Sequence, residues 1–139
     1  MNKLVSAALL ALLLAIPLGV VPASAANPPE QTINSLPSGA LPISDYYDQS
    51  VYDPQDNKIG DVKDLLVNKD GKIDATIISV GGFLGVGEKN VAVPFNALKL
   101  TDKNGKRYLV MNTTKEALKN APGYTFDRTA YQWVPAKQG

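Results

Sequence analysis

The sequence predicts a mainly β fold, a small six-stranded β-barrel carrying one short C-terminal helix, and three observations lead there. Short runs of β-branched and aromatic residues follow one another between Gln49 and Met111, each bounded by residues that favour turns. Asn104-Gly105 stands between two apolar runs, which is the strongest short-range signal for a hairpin. The hydrophobic period changes once, near Thr113, from the alternation of strands to the spacing of a helix. With so few strands, closing the sheet on itself is the simplest way to hide its edges.

Each element has a local reason. Gln49 to Tyr52 is the first strand, and Asp53-Pro54-Gln55-Asp56-Asn57 forms its turn from residues that accept tight geometry. Lys58 to Val67 is the second strand; its alternation fails at Asp64-Leu65-Leu66, which predicts a bulge or burial on both faces. Asn68-Lys69-Asp70-Gly71 is a hairpin turn into the third strand, Ile73 to Val80, whose Ile77, Ile78 and Val80 give it the character of a central strand. Between Gly81 and Gly87 lie four glycines with Phe83, Leu84 and Val86. Those apolar side chains serve no purpose in a solvated loop, so this tip either caps the barrel or docks on a partner. Val91-Ala92-Val93 is the fourth strand, stopped by Pro94, which cannot donate to a ladder. Ala97 to Leu100 and Arg107 to Met111 are the fifth and sixth. Thr113 and Glu116 have the spacing of a capping box, Ala117, Leu118 and Ala121 can share an inward face, and Pro122 ends the helix.

Composition frames the rest. Met1-Asn2-Lys3, an apolar stretch from Leu4 to Val21 and Ala23-Ser24-Ala25 together read as a secretory signal peptide over residues 1–25, cut after Ala25. Residues 26–43 hold Pro28, Pro29, Pro37 and Pro42 among small and polar neighbours and read as a linker, since they bury too little to offset ordering entropy. The domain itself is expected over 44–126. Residues 127–139, with Tyr131 and Trp133, are expected as a docked or frayed tail. The mature protein is thus expected to be exported, periplasmic and not inserted in a membrane.

Without Lys3, basic and acidic side chains balance, so there is no basic excess of the kind that nucleic-acid binding requires. The chain has no cysteine, which excludes disulfides and thiol catalysis, and no histidine, which removes the commonest general base and zinc ligand. No cofactor is expected.

Val51-Tyr52-Asp53, Ile59-Gly60-Asp61-Val62-Lys63-Asp64-Leu65-Leu66-Val67, Gly71-Lys72-Ile73 and the run Gly81 to Phe95, with Thr114 to Pro122 as a closing helix, resemble the PRC-barrel family. This small β-barrel is shared by the photosynthetic reaction-centre H subunit and a ribosome-maturation factor. The resemblance covers roughly Val51 to Pro122 and implies a barrel that holds another macromolecule in place. It transfers no residue's role.

Several constellations invite chemistry. The glycine run lacks a terminal Gly-Lys-Ser/Thr and precedes a strand rather than a helix, so it does not match a phosphate loop. Asp53, Asp56, Asp61 and Asp64 are weak candidates for cation ligands, because neither they nor Asp70 and Asp74 keep the spacing of a calcium loop. Asp64 sits between apolar residues, where Lys63, Lys99 or backbone amides could partner it. The expected function is non-enzymatic protein binding through Phe83, Leu84, Val86, Tyr131 and Trp133. The alternatives are a small-ligand or cation carrier using the acidic turns, and a protein that self-associates through strand edges.

Overall fold

Turn chemistry decides where each strand stops. In the computed structural model, which describes residues 15, 17–20, 32–82 and 87–137, the chain divides into two units, Met1–Leu36 and Pro37–Gly139. The described residues of the first form no helix or strand. The second carries β1 (Ser50–Tyr52), β2 (Lys58–Val67), β3 (Ile73–Val80), β4 (Lys89–Pro94), β5 (Lys99–Lys103), β6 (Lys106–Val110), α1 (Lys115–Asn120), β7 (Gly123–Asp127) and β8 (Gln132–Pro135). Single 3-10 turns at Ile43–Asp45 and Phe95–Ala97 precede β1 and β5.

Among the described residues the fold is mainly β with one short helix, as expected, but the six-stranded closed barrel is corrected. Among the described residues eight strands lie in one sheet in the order β5-β6-β1-β2-β3-β4-β7-β8, and β5 and β8 do not pair to close it. The two additional strands come from residues 123–135, which straddle the expected domain end at 126. Neighbours run antiparallel except β1 and β6, which pair in parallel with Val51 opposite Leu109 and Tyr52 opposite Val110.

The broken alternation of β2 is a bulge. Val62 pairs with Ile78 and Asp64 with the adjacent Ile77, so Lys63 is the extra residue. The main core lies on one face of the sheet, where Val51, Ile59, Val62, Ile78, Val80 and Leu109 are each at most 1% exposed. Gly60 is required there. A Cβ at this position would stand 2.6 Å from Ile78 Cγ2 and 2.7 Å from the Ser79 carbonyl oxygen, too close for any side chain.

Helix α1 adds Leu118 to the core. Its cap is Thr114, whose Oγ1 accepts the Ala117 N–H at 3.1 Å, so the Thr113–Glu116 capping box is corrected by one residue. Ala117 is exposed rather than inward. The fifth strand also moves: Phe95–Ala97 is a 3-10 turn and the strand begins at Lys99. Asn104 and Gly105, at φ 54° and 75°, make the β5–β6 hairpin turn that their pairing predicts.

Candidate functional site

Strands β7 and β8 form a hairpin whose ladder to β4 has two pairs among the described residues, Asn90 with Tyr124 and Val91 with Gly123. Its turn has a polar start. Asp127 Oδ1 accepts the N–H groups of Thr129 at 2.8 Å and Ala130 at 3.1 Å, an Asx turn that reverses the chain. The reversal is completed by Tyr131 at φ 52°, in the left-handed region that costs a bulky side chain most. Tyr131 is nevertheless 82% exposed, with its ring outside any packing that would offset that cost.

Trp133 behaves differently. Its ring meets Phe126 edge-on at 5.6 Å, and its indole Nε1–H donates to Asp64 Oδ2 at 2.7 Å. Asp64 lies on β2 and Trp133 on β8, four strand spacings apart in the sheet order, which in a flat sheet is about 19 Å. Contact between them means that the sheet bends strongly and brings the hairpin back to β2. Ile77, the ladder partner of Asp64, is fully buried yet stands outside the main core cluster. The other Asp64 oxygen accepts the Leu65 N–H at 2.8 Å. The expected backbone partner is therefore present, whereas Lys63 and Lys99 form no ion pair with it among the described residues.

The four acidic candidates are not brought together. Asp53 is buried in its own turn, where Oδ1 accepts the Gln55 and Asn57 N–H groups, each at 2.9 Å, and Oδ2 accepts Asn57 Nδ2–H at 3.0 Å. The Asn57 side-chain amide, with these backbone groups, holds the Asp53 carboxyl below the usual carboxylate range. Asp56 pairs with Lys103. Asp61 pairs with Lys58 at 2.8 Å and accepts Ser50 Oγ–H at 2.8 Å. Among the described residues no three acidic side chains converge as metal ligands do. Phe83, Leu84 and Val86 lie outside the described residues, so of the expected contact residues the structure places Tyr131 and Trp133.

Sequence reasoning missed Asp127 and Phe126 as the framework around those two aromatics. The available signal was the alternation of Tyr124 and Phe126, followed by Trp133 and Val134 after a short polar interval.

A predominantly antiparallel sheet, open among the described residues, with a short helix packed on its core defines a small, mainly β domain. The profile of the PRC-barrel domain matches residues 39–118, more than half of the chain, and the chain belongs to this family. The match ends inside α1, so the β7–β8 hairpin lies beyond it. Comparison with curated proteins returns no match. Among the described residues no helix is long and apolar enough to cross a membrane.

Proposed function

We propose that this PRC-barrel protein is a non-enzymatic interaction module that binds a protein partner through its β7–β8 hairpin, with Tyr131 as the anchor. The observation that carries this reading is the state of Tyr131, which combines an unfavourable left-handed backbone with near-complete exposure. Strain of this kind persists only where the surroundings enforce it, and it gathers at functional positions. Tyrosine is also among the residues that most often dominate binding energy at interfaces. Trp133 then serves as the support that fixes the hairpin through Asp64, and Phe83, Leu84 and Val86 form a second proposed contact.

Binding is favoured over catalysis by the absence of histidine and cysteine, which withdraws the usual base and the thiol nucleophile. The proposed location is the periplasm, reached through the signal peptide over residues 1–25. Affinity capture from periplasmic extract tests the reading when the mature wild-type chain is compared with Tyr131→Gly. Glycine accepts the left-handed turn without strain, so the fold is expected to persist while the captured partner is lost. Capture unchanged by this substitution would remove Tyr131 from the interface.

Self-association is a second reading, favoured by the edges at β5 and β8, which are unpaired among the described residues. Lys99 and Lys103 on β5 and Pro135 on β8 are residues of the kind that discourage edge pairing. Light scattering on the mature chain separates a monomer from a dimer directly.

A further inference from the structure

Two turns distant in sequence stand on either side of a cavity of about 540 Å³, lined by Tyr52, Asp56, Lys103, Asn104, Lys106 and Tyr108. That volume lies within the range of roughly 300–1,000 Å³ usual for small-molecule sites. Tyr52 ends β1 and Tyr108 lies in β6, and their rings meet edge to face at 5.6 Å and 83°. The parallel β1–β6 pairing brings these two strands side by side.

The walls are preformed. On one side Asp53 accepts three hydrogen bonds from its own turn. On the other, Asp102 Oδ1 accepts the Gly105 N–H at 3.2 Å within the Asn104–Gly105 turn. Lys103 reaches across to pair with Asp56, which links the two turns. Lys106 is then the lining charge without an ion pair among the described residues. The remaining polar lining is the Asn104 amide and two phenol hydroxyls, all able to donate hydrogen bonds. An open, donor-rich cleft with one unpaired ammonium and two aromatic rings is complementary to an oxyanion attached to a ring.

We propose that this cavity binds a small molecule bearing a carboxylate or phosphate on a ring, with the ring against Tyr52 and Tyr108 and the anion at Lys106. The site lies toward the opposite end of the sheet order from β7 and β8, so it stands or falls independently of the hairpin interface. NMR titration of the mature chain tests it with three probes that share a pyranose ring: glucuronate, glucose 6-phosphate and neutral glucose. Saturable shifts at Asn104, Lys106 and Tyr108 are expected with at least one charged probe, about tenfold tighter than with glucose. Which of the two charged sugars binds more tightly distinguishes carboxylate from phosphate. Lys106→Gln should weaken that binding about tenfold and Lys106→Arg should largely preserve it. Lys106 is exposed and outside the core, so neither change threatens folding. Non-saturating shifts, equal binding of glucose, or an equal loss in Lys69→Gln, a substitution in a different turn, would each overturn the proposal.

Discussion

From Thr76 to Val80, every residue of β3 is buried and the strand is covered on both faces, whereas no residue of β7 or β8 is buried. β3 has full-length neighbours, with ladder pairs running through most of β2 and all of β4. Among the described residues the hairpin has two ladder pairs to β4 and one indole-to-carboxylate hydrogen bond to β2. Stability at the centre is spread over apolar area, so each side chain there is part of one cooperative unit. At the hairpin it is concentrated in a few directional contacts, and such regions open locally at lower free energy than the core.

The largest expected effect is at the centre. Ile78→Ala should cost about 2–5 kcal/mol, read as a shift of the whole urea unfolding transition. A midpoint that stayed in place would show that β3 is not the common core. At the hairpin, Trp133→Phe keeps an aromatic ring and removes only the N–H donor to Asp64. A loss of about 1 kcal/mol is expected, since the bond is partly exposed. In hydrogen exchange, protection should fall over residues 123–135 and hold over Thr76–Val80, and a uniform fall would merge the two regions into one unit.

Between the two regions, α1 offers a comparable test. Thr114→Ala should cost about 1 kcal/mol in thermal or urea unfolding, and Thr113→Ala less than half of that, because Thr114 supplies the cap. Equal losses would restore the cap to Thr113.

The smallest effect concerns the Asp53 turn. Its carboxyl has a depressed folded-state pKa, so ionisation adds stability that is present above the ordinary carboxylate range and lost as pH falls through the lowered value. The melting-temperature gap between wild type and Asp53→Asn should therefore be widest near neutrality and shrink in acid. A gap independent of pH would assign the turn's contribution to shape alone.

Much of the central region was legible in the sequence. β2 and β3 have the bounds read from the residues, because Asp, Asn and Gly at their turns leave the chain few options, and the broken alternation at Asp64 marked a real bulge. The helix was legible in place and mostly in phase, since Leu118 joins the core and Ala121 packs against it, and only Ala117 faces away. Thr113 and Thr114 can both cap, and the choice of Thr114 moves Ala117 to the surface.

The hairpin was illegible for two physical reasons. Its turn, Arg128-Thr129-Ala130-Tyr131, has no glycine, asparagine or proline, and a tyrosine occupies the left-handed position. Its anchor joins residues 69 positions apart, which no local pattern encodes. The two tail aromatics therefore looked equivalent in sequence, and the structure separates them into an anchored Trp133 and an exposed Tyr131.

The parallel joining of β1 to β6 bears on the order in which the chain can assemble. Val51 meets Leu109 only after nearly sixty intervening residues have been gathered in, whereas the β2–β3 and β5–β6 ribbons need only their own short reversals. Ribbons of that kind form within about 1–10 μs, and long-range closure is much slower because it must be achieved before any contact rewards it. The seam between β1 and β6 is thus the natural slow step, and until it forms β1 presents an unpaired flank to whatever chain lies nearby.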